Sequence, residues 1–353
     1  MDLLNPVRVS KYGTSFSGRD RAAGRDGGAG ARLALIVVSC LGLVLLFVVG
    51  TLSVASLNGA YQTYVPLAIR QYLWVGRTIL IDPWMCAFAV AVFTLERLIP
   101  ARPGQRIFSS GLALDLCWYV LFTLNLAFVM PAYGGALRSI YDRYLSFMTV
   151  TSLAGWPMPY RIVLSFVIVD FVYWLRHYVQ HKVPALWYFH AVHHGQRELN
   201  FLTDLRIHVI EYLYDSTALF VPLFIVGATI PTDLYIAAIL QWYRKLYHSN
   251  LRSNYGLLKY VVVSPQYHRI HHSNDPAHID KNFAVYFTIW DRVFGTMHRS
   301  FDEYPDTGIS DPRFPTAPSG GAGAVLRTFA AEFIYPFRQL LLHFGAPKHA
   351  APK

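Results

Sequence analysis

Twelve of the 14 histidines lie between His177 and His298, and eight of those twelve fall into three tight groups. His177 and His181 sit in "DFVYWLRHYVQH", His190, His193 and His194 in "FHAVHH", and His268, His271 and His272 in "YHRIHHS". On a helix, residues three and four apart share a face. The first group therefore places two imidazoles together, and each of the others three. Imidazole binds iron, zinc, copper and nickel, and a tetrahedral zinc site needs only about four ligands. Eight imidazoles suffice for two metals, with positions left open for oxygen or water. His208 in "RIHVIE" and His248 in "LYHSN" border apolar segments and join the candidate ligands. His278 in "PAHID" has less to recommend it, and His298, His343 and His349 read as ordinary surface or core histidines. Ligating histidines usually hand their second N–H to a carboxylate or carbonyl. Asp170, two turns before His177, Glu211, three residues after His208, and Asp280 and Asn282, just beyond the third group, are candidates for that supporting role.

The elements that must carry these groups are helices. Ser264 and Pro265 are good N-cap and first-turn residues, so His268, His271 and His272 fall in the opening turns of a helix that stops near Asn274 and Pro276. Of 353 residues, 54% are hydrophobic and only 15% charged, against roughly one quarter charged in soluble domains. Leu33–Leu57 carries no charge and exceeds the roughly 20 residues needed to cross a bilayer. Further apolar runs cover about 79–98, 111–133 and 160–175, and a longer one, 213–242, is interrupted by "GATIP" and reads as a hairpin that dips into the membrane and returns. The fold expected is an all-α integral membrane bundle of about four transmembrane helices plus that hairpin, with a histidine-rich catalytic cap.

Residues 1–32 are Gly-, Arg- and Ser-rich with no hydrophobic period and read as a disordered basic tail. The tail and the basic residues after alternate spans place the histidine groups in the cytoplasm, on a multi-pass protein of the inner membrane. Four segments follow: the tail (1–32), N-terminal spans (33–150), a catalytic domain (151–300), and a C-terminal part (301–353) with an amphipathic surface helix. The net charge of +10 fits loops beside anionic headgroups, and no nucleic-acid-binding signature is present. Cys40, Cys86 and Cys117 form no CxxC pair, so neither a disulfide nor a thiolate metal site is expected.

In order and context, these motifs resemble the fatty acid hydroxylase superfamily, which includes sterol desaturases and sterol C-4 methyl oxidases. The three groups are similar to its three histidine boxes, with Arg176-His177 where the family often has His-Arg. "RIHVIE" resembles its Arg-x-His-Pro-x-Glu with Val209 for the proline, and "YHSN" and "DKNFAVYFTIWDRVFGT" also match, with Phe283 in place of the usual tyrosine. The resemblance covers about residues 90–300. It implies a di-iron centre held by His177, His181, His190, His193, His194, His248, His268, His271 and His272, with His208 a further candidate. It also implies dioxygen as co-substrate, oxygen insertion into a C–H bond of a lipid, and an external electron donor. No His-Pro-Gly-Gly stretch of a fused cytochrome b5 occurs, so a ferredoxin, a cytochrome b5-like protein or a flavoprotein reductase is expected as redox partner. Fatty acyl, sterol-like and aminolipid substrates stay open. So do a desaturase or ether-cleaving monooxygenase of the same chemistry, a zinc-dependent membrane hydrolase, for which no HExxH is present, and a non-enzymatic metal transporter or sensor.

Overall fold

The computed structural model describes residues 83–227, 242–316 and 321–345. The tail, the span Leu33–Leu57, the hairpin's tip and His349 lie outside these residues. Every regular element described is helical, and the only strand-like pairings among the described residues are isolated bridges such as Val262 with Phe287.

Helix α1 (Pro83–Leu98) and α2 (Ser110–Leu124) come first. Ser109 caps α2 by accepting from the Leu112 N–H. The chain then runs on through a π-helical turn (Asn125–Val129), α3 (Met130–Ile140) and a second π-helical turn (Tyr141–Leu145). Helix α4 (Met158–Lys182) follows. Pro184 ends it, because a proline inside a helix removes a donor and clashes with the preceding turn, so after Val183 alone the chain sets off again as α5 (Pro184–His194).

Helix α6 (Val209–Ile225) returns antiparallel to α4. Arg161 bonds Gly227 O near one end, Arg176 pairs with Asp215 in the middle, and Gln180 reaches Glu211 at the other. A helical stretch at 242–248, short helices α7 (Pro265–His271) and α8 (Ile289–Val293), and the long α9 (Ala322–Gly345) complete the order.

The apolar run expected at 160–175 is the body of α4, the one described helix long and apolar enough to cross a membrane. Only 22% of its most apolar window is buried. A helix from a soluble core would be mostly covered, whereas Met158, Tyr160, Val163, Val167 and Leu175 point outward. Leu116, Val120, Leu124 and Phe128 on the α2 run are exposed as well. The polar end of α4 dives into the protein, burying His177, Gln180 and His181.

Helix α9 closes the assembly against α2 and α5. Phe329 and Phe333 pack on Trp118, Phe337 on Phe189, and Glu332 receives both the Trp118 indole N–H (3.0 Å) and a guanidinium nitrogen of Arg206. Arg206 also donates to Asp115 (3.1 Å) and to Val192 O (2.6 Å), so one fully buried guanidinium ties α2, α5 and α9 together.

Candidate metal centre

Nine of the ten candidate ligands converge, and they divide into two buried groups: His177, His181, His190, His194 and His271 in one, His193, His248, His268 and His272 in the other. Within each group the candidate ligand atoms lie within 4.8 Å of one another. The division follows helix geometry. Residues four apart, at 177/181, 190/194 and 268/272, fall in the same group, while the residue three along from the start of each three-histidine box, His193 and His271, crosses to the other. A turn of 100° per residue offsets i+4 by about 40° from i and i+3 by about 60° the other way. "YHRIHHS" therefore does not aim three imidazoles at one metal. His268 and His272 serve one position and His271 its neighbour, with the His194 and His272 rings stacked 4.4 Å apart at the junction.

The nitrogen assignments follow from the partners. Nδ1 of His177 faces Phe283 O (2.8 Å), Nδ1 of His271 faces Lys281 O (2.8 Å), and Nδ1 of His248 faces Arg244 O (2.7 Å). A carbonyl oxygen only accepts, so each Nδ1 carries the proton and each neutral ring offers the Nε2 lone pair. His190 Nδ1 donates likewise to Glu211 Oε1 (2.6 Å). The rings outside α4 are held neutral. Burial pushes His190 down to about 3 and His248 and His271 to about 4, and leaves His193, His194, His268 and His272 well below 6.5.

The Nε2 atoms then point at one another. His177 Nε2 lies 3.1 Å from His190 Nε2, with no proton left for either to share. His181 Nε2 lies 3.2 Å from His194 Nε2, His248 Nε2 3.1 Å from His193 Nε2, and His268 Nε2 2.8 Å from His248 Nε2. His271 Nε2 is buried without any hydrogen-bond partner. The facing His177 and His190 lone pairs, buried with no proton between them, call for a cation. The donor set, all neutral imidazole, fits two first-row transition metals.

The supporting residues are partly those expected. Glu211 holds His190 and accepts from Gln180 (3.0 Å). Asp280 lies 3.8 Å from His181 Nδ1 and is paired with Lys182 (2.7 Å). Asn282 acts through the backbone, accepting the His298 N–H (2.7 Å) and donating to Tyr267 O (3.1 Å). Asp280 and Asn282 both adopt left-handed conformations, φ 59° and 60°. Two such residues flanking Lys281 turn the chain so that the Lys281 and Phe283 carbonyls meet His271 and His177.

Asp170 does not hold His177. Its carboxylate accepts from the Trp290 indole (2.8 Å) and the N–H groups of Tyr286 and Phe287. His208 stands outside both groups. As N-cap of α6 it accepts the Ile210 N–H on Nδ1 (3.2 Å), and its Nε2 donates to Phe333 O (3.2 Å) within a nest of Phe189, Phe333 and Phe337. Both nitrogens are engaged, and the reason is position: it precedes the helix and faces α9.

Sequence reasoning missed two acids. Asp204 is fully buried and binds Arg244 (2.9 Å) and Lys245 (3.0 Å) while lying 3.6 Å from His248 Nδ1. Burial alone would raise its pKa, but these two cations outweigh that and hold the carboxylate well below its usual range. Asp291 accepts from Trp174, Tyr267, Thr296 and the N–H groups of Phe283 (3.0 Å) and Ala284 (2.7 Å). It anchors the loop that supplies the two carbonyls. Its place in "IWDRVFGT", inside a matching motif, was the available signal. Phe283, where the family often has tyrosine, packs edge-on against the rings of His177, His181 and His271.

Residues 162–296, which include all nine converging histidines, match the family described as fatty acid hydroxylase. This segment is similar to fatty acid hydroxylase domains. The chain is 32% identical over 182 residues to the ornithine lipid hydroxylase OlsE of Rhizobium tropici, covering 52% of each protein. It is 35% identical over 145 residues to human alkylglycerol monooxygenase, 40% of this chain and 32% of that one. It is 26% identical over 139 residues to human cholesterol 25-hydroxylase, 39% and 51% respectively. The chain thus spans about half or less of the length of these relatives. No solved structure matches the chain. The matched segment begins inside α4 and ends at Thr296, so it takes in every box and the Asp291 anchor but not α9.

Proposed function

We propose that this protein is a membrane-bound di-iron oxygenase that inserts oxygen into a C–H bond of a lipid, using dioxygen and external electrons. The observation that carries the reading is the pair of buried all-histidine groups whose ring nitrogens converge. The relatives are named for hydroxylation or monooxygenation of ornithine lipid, alkylglycerol and cholesterol, which favours a lipid substrate.

Two iron ions held there would supply the activation of dioxygen. The chain's own residues supply the rest. His177, His190, His248 and His271 are locked in the Nε2-ligating tautomer by Phe283 O, Glu211, Arg244 O and Lys281 O. Trp187, against His181 and His194, and Phe283 line the first group with apolar surface and keep water from it. No side chain acts as a nucleophile.

The outward apolar face of α4 lies in the bilayer, and the buried end carrying His177 and His181 meets the cytoplasm. A multi-pass inner-membrane topology follows the expected spans, and a separate ferredoxin, cytochrome b5-like protein or flavoprotein reductase delivers electrons. Desaturation or ether cleavage would use the same centre. A zinc hydrolase has less support, since the converging groups are all imidazole and none is a carboxylate placed as base.

The test is metal analysis with product mass. Detergent-purified protein carries about two iron atoms per chain, consumes oxygen with a reductase system, and yields a lipid product heavier by one oxygen. The His271→Ala, His272→Ala double variant loses both metal and turnover. Turnover without oxygen, on bound zinc, overturns the reading. A product lighter by two hydrogens redirects it to desaturation.

A further inference from the structure

We propose that His278, His298 and Glu303 form a third metal site, outside the nine-imidazole cage, that takes one divalent ion of the zinc type. The three ligand atoms lie within 4.8 Å of one another. His278 Nε2 is 2.9 Å from one Glu303 carboxylate oxygen, and His298 Nε2 is 3.5 Å from the other. The two rings sit edge to face with centroids 4.7 Å apart. His298 Nε2 is buried, and its nearest acceptor, a Glu303 carboxylate oxygen, stands 3.5 Å away at the outer limit of a hydrogen bond. A buried nitrogen left short of its acceptor in this way marks a place where a further group belongs.

The chemistry matches the ion. Two imidazoles and one carboxylate are a common donor set for zinc with an open position, with ligand bonds of about 2.0–2.2 Å. Such bonds need the ligand atoms spaced much as these are. Glu303 is 45% exposed, so water reaches the fourth position. Ser273 Oγ contacts His278 Nδ1 (2.9 Å) and accepts the Asp275 N–H (3.0 Å). With Nδ1–H donated to Ser273, His278 presents its Nε2 lone pair to the ion.

The position gives the site a purpose. Ser273 follows His272 directly. The His298 N–H is held by Asn282, which lies between the two residues whose carbonyls orient His271 and His177. An ion joining His278, His298 and Glu303 clasps segments 273–278 and 298–303 around Asn282 and so braces the outer wall of the cage.

The experiment compares full-length, detergent-purified wild type with Glu303→Gln and His298→Ala. Both substituted residues lie outside the cage, and Glu303 is exposed enough that its amide variant folds. Total metal is measured by mass spectrometry, and zinc chloride is titrated into protein whose cage is already loaded. Wild type takes up one zinc equivalent more than either variant, the cage metal stays equal in all three, and the thermal midpoint rises on zinc addition only in wild type. Equal uptake in wild type and variants, or no uptake by the loaded wild type, overturns the proposal. The difference of one equivalent stands whether the cage holds iron or another metal, so its failure is separate from failure of the oxygenase reading.

Discussion

The His190 imidazole donates its Nδ1 proton to Glu211 Oε1 across 2.6 Å, joining the second histidine box to the first turn of α6. The bond fixes which nitrogen of His190 faces the first group. Glu211→Ala removes the acceptor and frees the tautomer. Metal affinity is expected to fall about 10- to 100-fold, the usual cost of losing such a partner. Glu211→Gln, which keeps an oxygen acceptor, retains most of it. Equilibrium dialysis against ferrous iron separates the two, and equal losses in both variants would refute a positioning role.

Asp291 is fully buried and accepts from the Phe283 and Ala284 N–H groups as well as from Trp174 and Tyr267. Asp291→Ala leaves several buried donors without an acceptor. With hydrogen bonds to charged groups contributing about 1.5–3 kcal/mol each, a loss of at least about 3 kcal/mol is expected. Because the same loop carries the Lys281 and Phe283 carbonyls, metal retention drops in parallel. Chemical denaturation and metal content, measured on the same sample, check both.

His208 predicts a pH effect. Burial lowers its pKa to about 4, from an ordinary value of 6.5. The unfolded chain therefore binds the proton first as pH falls, and the folded state loses stability below about pH 6.5, down to about pH 4. At pH 5 the loss from this one group is about 2 kcal/mol at 1.36 kcal/mol per pH unit. His208→Asn keeps a capping side chain but does not titrate, so the stability difference between wild type and variant shifts against wild type between pH 7 and pH 5. A difference independent of pH would show that His208 is not the source.

Arg206 meets Asp115 and Glu332 with all three side chains at 1% exposure or less. Removing one partner of a buried pair typically costs about 3–5 kcal/mol. Glu332→Ala is expected to do so and to release α9 from α2 and α5, read as new protease cleavage within 322–345. A protected α9 in the variant would show that its aromatic contacts suffice.

Much of the centre is legible in the sequence because helix periodicity is local. The spacing of the three boxes brings His177 with His181, His190 with His194, and His268 with His272, whatever the rest of the chain does. Ser264 and Pro265 start α7 where their chemistry says they should. The apolar run at 160–175 forms α4, which is long enough to span a bilayer and largely uncovered.

Tertiary structure decided everything that joins residues distant in the chain. The same spacing does not say that His193 meets His248, 55 positions away, or that His271 joins the first box. Nor does it reveal that His208, inside a matching motif, caps a helix and faces α9. Asp170 looked like a partner of His177 by helical phase, yet it binds backbone more than 110 residues on. The most telling support is by main-chain carbonyls, Phe283 O, Lys281 O and Arg244 O. Every residue has a carbonyl, so residue type carries no trace of which ones will be aimed at an imidazole. That depends on loop conformation, set here by left-handed Asp280 and Asn282 and by the packing that holds Asp291 beneath them.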